Sequence, residues 1–126
     1  FTWLNLYNEQ DIMVVEVKYL FNPARKNLKC LSKERSEFCV EFPVEKGSWQ
    51  LKRNHSYFTQ IQMQLFCSNM EKCLFVLFYD FRKPVFLEVI HIDHQFCQQA
   101  ASQLSKFYFE HYLPILAQKM PNVCMF

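Results

Sequence analysis

Only one glycine, Gly47, is available to the 126 residues of this chain. Loops that cradle phosphates need several glycines at fixed spacing, because no other residue allows so close a backbone approach. Walker and dinucleotide-binding fingerprints are therefore excluded. Phenylalanine occurs 14 times and the apolar fraction is 51%, which predicts an aromatic-rich core and excludes a disordered or collagen-like chain. The length suits one domain, 1–126, with one core. The longest apolar run, Leu74 to Tyr79, falls far short of the roughly 20 residues of a membrane span, so no membrane partner is expected. A net charge of +2 does not by itself argue for nucleic acid. The abrupt apolar start at Phe1-Thr2-Trp3-Leu4 suggests a domain cut from a longer polypeptide.

The pattern along the chain is mixed. Ile12 to Leu20 is dominated by β-branched residues and reads as a strand. Asn22 to Glu37 is polar and basic, a loop or short helix, and Phe38 to Val44 is a second strand. Asn54 or Ser56 can cap a helix from Tyr57 to about Asn69. Within it, Thr59 to Leu65 alternates polar and apolar as a strand would, whereas Gln, Met and Leu favour helix and Tyr57, Ile61 and Leu65 share a helical stripe. The residues favour a helix without excluding a strand. Leu74 to Asp80 and Val85 to Ile92 form a hairpin across Phe81 to Pro84. A helix then runs from Asp93 to about Tyr112, with Phe96, Ala100, Leu104, Phe107, Tyr108 and His111 on one face and a ragged end at Pro114 and Pro121. The fold class is α/β (α+β).

Glu16 and Lys18 stand two apart on the first strand and so project from one face. A carboxylate can ligate Mg²⁺ while a neighbouring ammonium stabilises charge on an attacking water or a phosphate. The plainer alternative is a solvent-facing pair on an exposed strand. On a helix, Tyr57, Gln60 and Gln64 form one polar stripe, with basic Lys52 and Arg53 just ahead of it where a phosphate could meet the helix dipole. An ordinary surface helix would look the same. His91, His94 and Cys97 are spaced by threes, but no fourth ligand matches and they read as ordinary residues. The six cysteines include no CxxC pair and read as reduced thiols of an intracellular protein, Cys67 and Cys73 as small hydrophobes beside apolar stretches.

Together, Val15-Glu16-Val17-Lys18 and the run Leu51-Lys52-Arg53-Asn54-His55-Ser56-Tyr57-Phe58-Thr59-Gln60-Ile61-Gln62-Met63-Gln64-Leu65 resemble the YqaJ-type viral recombinase family, which includes the phage lambda exonuclease. The likeness extends over residues 3 to 116, through the Cys73-Leu74-Phe75-Val76 strand and Phe107-Tyr108 to Pro114. It implies a PD-(D/E)XK, restriction-endonuclease-like core, a mixed sheet flanked by helices, and a helix rather than a strand for the glutamine run. By that resemblance Glu16 would be a metal ligand, aided by the Val17 carbonyl, and Lys18 the catalytic lysine. Gln60 would hold the attacking water or the DNA strand, and Lys52, Arg53, His55 and Tyr57 would lie along the DNA.

This sequence departs from the family where the family carries an Asp on the preceding strand. Asn5 is the nearest match, and Glu9 and Asp11 fall in the turn. Tyr19-Leu20 replaces the usual Cys-Pro, and Met63 the glycine of the glutamine motif. An asparagine is neutral, so retention of Mg²⁺ should fall sharply. The expectation is a degenerate nuclease-like domain, weak or inactive, that binds DNA or protein in the nucleus. The alternative is an active Mg²⁺-dependent exonuclease whose missing acid comes from elsewhere in a longer chain.

Overall fold

The computed structural model describes residues 12–79 and 82–120. The chain divides into two units, one ending at Ile92 and the other beginning at Asp93. Asn5, Glu9, Asp11, Asp80, Phe81 and Pro121, which figured in the expectations above, lie outside the described residues.

The first unit is a mixed α+β arrangement. Strand β1 (Val14–Tyr19) pairs in parallel with β4 (Lys72–Phe78), and β4 pairs antiparallel with β5 (Phe86–His91). Central β4 is buried along Cys73 to Leu77, as an unbroken apolar run in a covered strand requires. Helix α2 (Ser56–Ser68) supplies Phe58, Ile61, Gln62 and Leu65 to the core, while Phe75 and Leu77 are fully buried in β4. A helix therefore wins over the period-2 alternation of Thr59 to Leu65. Gln62, the residue that keeps the alternation polar, is itself buried and donates from Nε2 to the His91 carbonyl at 2.9 Å.

Two differences from expectation have local causes. The cap of α2 is His55, whose Nδ1 accepts from the Tyr57 N–H at 3.1 Å, while Ser56 is already helical. At the other end Asn69 takes the left-handed conformation (φ 56°), and the Met70 N–H donates to the Leu65 carbonyl. The basic stretch holds helix α1 (Leu28–Glu34), capped by Asn27 and anchored by buried Leu31. The second strand is shorter than its apolar run: β2 (Val40–Glu41) pairs antiparallel with β3 (Gln50–Leu51). Gly47 turns the ribbon at φ 63°, the one place where the lone glycine is needed.

The second unit is helical: α3 (His94–Phe107), a π-helical turn (Tyr108–Tyr112) and α4 (Leu113–Lys119). The expected break at Pro114 does not occur. In the π turn the Leu113 N–H reaches back five residues to the Tyr108 carbonyl, and Pro114 enters in the first turn of α4, where its missing N–H costs least. Asp93 caps α3 by accepting from the Phe96 N–H at 3.0 Å. The expected one-face stripe is exposed at Leu104, Phe107 and Tyr108; Cys97 is the buried residue of α3.

Candidate functional site

Strand β1 turns Glu16 and Lys18 inward beside Val14 and turns Val15, Val17 and Tyr19 outward. Glu16 and Lys18 are half-buried, while Val15, Val17 and Tyr19 are more than half exposed at 55%, 54% and 66%. A solvent-facing pair is therefore not what the fold makes of Glu16 and Lys18. Their face meets α2, and the expected stripe of that helix converges on them. Lys18 Nζ lies 2.8 Å from Glu16 Oε1 and donates to Gln60 Oε1 at 2.9 Å. Gln60 Nε2 donates to Glu16 Oε1 at 3.1 Å, and Gln64 Nε2 to Glu16 Oε2 at 2.9 Å. The Tyr57 ring closes the group, with its centroid 4.6 Å from Lys18 Nζ.

The electrostatics follow from these contacts. Burial alone would raise the Glu16 carboxyl. Hydrogen bonds from Lys18 and Gln64, the Lys18 charge and the Gln60 hydrogen bond outweigh it and hold the group below its ordinary 4.5. Gln64 Oε1 is buried without a hydrogen-bond partner among the described residues. Reversing the amide would satisfy neither group, since it would set an oxygen against a carboxylate. A bond to a charged acceptor, worth about 1.5–3 kcal/mol, fixes the orientation instead.

Among the described residues the donor set does not fit Mg²⁺. Both Glu16 oxygens already accept hydrogen bonds, and an ammonium fills the polar centre of the cluster. The strand register places Glu16, Phe75 and Glu88 in one row across the sheet, so a second carboxylate does share the face. It stands two strands away, about 10 Å along the sheet, and both its oxygens are already engaged, Oε1 with Arg53 and Oε2 with the Leu51 N–H. Among the described residues no group of three or more His, Cys, Asp or Glu is placed to hold a metal ion.

The other sequence candidates hold the approach to α2. Arg53 Nη2 pairs with Glu88 Oε1 at 2.7 Å and Nη1 donates to the Leu51 carbonyl, with the guanidinium 5.1 Å from the Phe58 centroid. Glu88 Oε2 accepts from the Leu51 N–H at 2.7 Å. Lys52 Nζ donates to the Ser36 carbonyl at 3.0 Å, and His55 is committed as the helix cap, its ring edge-on to Tyr57. The structure thus gathers Glu16, Lys18, Gln60 and Tyr57 and gives Lys52, Arg53 and His55 work in the scaffold. The Glu88 contacts escaped the sequence reading, because nothing in a 37-residue separation marks such a pair.

No helix among the described residues is long and apolar enough to cross a membrane. No protein-family model, curated protein or solved structure matches this chain.

Proposed function

We propose that this chain is a degenerate YqaJ-type nuclease domain with a PD-(D/E)XK-like core, weak or inactive as a nuclease, that serves as a DNA- or protein-binding module in the nucleus. The observation that carries the reading is the Lys18 ammonium enclosed by Glu16, Gln60 and Tyr57. Carboxylate and lysine turned inward from a strand onto a glutamine-bearing helix are what the resemblance calls for. The single carboxylate in that cluster, with both oxygens accepting, supports loss of catalysis. Partner binding is supported by Leu104, Phe107, Phe109 and Ile115, large apolar side chains that are each exposed on the helical unit.

Calorimetric titration of Mg²⁺ and Mn²⁺ into the protein, beside Glu16→Ala, tests the reading. No binding heat, and intact linear duplex DNA after incubation, is the expected result. Binding that disappears in Glu16→Ala, together with Mg²⁺-dependent degradation of linear duplexes, would establish the alternative, an active exonuclease.

A further inference from the structure

We propose that two clefts meeting at Trp49 form a track for single-stranded nucleic acid, separate from the Glu16 cluster. One cleft, of about 540 Å³, lies between α1 and the β2–β3 ribbon; the other, of about 490 Å³, lies between α1 and the start of β5. Lys29 and Trp49 line both, so the two adjoin at these side chains. No residue of the Glu16 cluster lines either.

The lining combines flat rings with ammonium groups. Phe42 and Trp49 meet edge to face at 5.4 Å in the first cleft, and Tyr79 lies beyond Trp49 in the second. Four lysines against one glutamate give the track its sign. That glutamate, Glu41, accepts from Gln50 Nε2 at 2.9 Å. Lys29 and Lys33 are one helical turn apart on α1, exposed, and form no ion pair among the described residues. Like charges at that spacing oppose the helix that carries them, so a polyanion laid across them relieves a repulsion. Lys52 lines the first cleft, with its Nζ donating to the Ser36 carbonyl.

Rings flanked by cations suit a strand whose bases are unpaired: each base stacks on a ring while each phosphate meets a lysine. A duplex hides its base faces, and an acidic peptide has none to offer. The single strand is therefore the occupant that uses both halves of the chemistry.

The test is fluorescence anisotropy of a labelled 15-nucleotide oligo(dT) with the full chain, across salt concentrations. Binding that weakens with salt and exceeds that of the matching duplex is expected. Lys29→Glu with Lys33→Glu, both on the surface, should flatten the log–log salt slope by about 1.4, at about 0.7 per lost phosphate contact. Trp49→Ala should weaken binding about tenfold, and Trp49→Phe, which keeps a ring, should retain most of it. Lys106→Glu, an exposed charge of α3 that lines neither cleft, should bind as the parent does, which ties the effect to the track and not to net charge. Absence of salt-dependent binding, equal affinity for the duplex, an unchanged slope in the double variant, or displacement by polyglutamate as readily as by oligo(dT) would each overturn the proposal.

Discussion

Lys18 and Glu16, two residues apart on β1, face each other at 2.8 Å, and Gln60 on α2 bonds to both. That ammonium is the strongest of the contacts that offset burial and hold the carboxyl below its ordinary value. Removing the ammonium alone leaves a half-buried carboxylate held only by amides. Lys18→Met should therefore destabilise the protein by about 1–3 kcal/mol, read from urea unfolding, with a visible rise in the Glu16 titration midpoint.

The pH dependence has a definite sign. Glu16 titrates below its ordinary 4.5 in the folded protein, so its contribution is complete above that value and is lost as pH falls through the depressed folded value. Glu16→Gln should be less stable than the parent at pH 7, and the two should converge in acid. Unfolding midpoints from pH 7 down to pH 3 check this. A constant gap throughout would show that the carboxylate gains nothing from its surroundings.

Glu88 joins β5 to the chain ahead of α2 through Arg53 and the Leu51 N–H. Glu88→Ala strands a buried amide and a guanidinium, at a cost of about 2–4 kcal/mol. Because Leu51 pairs with Val40 and adjoins Gln50, Trp49 emission should shift in the folded variant. A loss under about 0.5 kcal/mol would make this pair an ornament of the surface.

Thiol reactivity should divide by burial. Burial pushes the Cys39 and Cys73 thiols up to about 11, so at pH 8 only about one in a thousand is thiolate. Cys30 and Cys67 are exposed. Mass spectrometry after brief iodoacetamide treatment should find the second pair alkylated and the first untouched until denaturant is added.

The first strand, the hairpin and the start of the last helix were legible because each rests on local pattern, whereas the glutamine helix was favoured by its residue types against its own alternation and its cap was expected at the wrong residue. Also legible was the convergence of Tyr57, Gln60 and Gln64, which helical spacing alone puts on one face. Cys67 shows the limit of composition: it lies beside an apolar stretch yet is exposed, whereas Cys73 is buried in β4. The short β3, the His55 cap and the passage through Pro114 were not legible. Each depends on a contact or backbone geometry that no periodicity encodes. The outward apolar face of β1 was equally hidden, since alternation reports that two faces differ and not which of them the fold will cover.

The Glu88 contact also orders events in time. Ribbon β2–β3 has two residues on each side, too few to persist in water by itself. Its Leu51 amide waits for a carboxylate 37 residues further along, presented only after β5 has aligned on β4. The ribbon therefore belongs to the late stages of folding, and its amides should be among the first of the sheet residues to exchange with solvent. The ring of Trp49, one residue before that ribbon strand, acquires its final surroundings at the same step, and so would any ligand surface it builds.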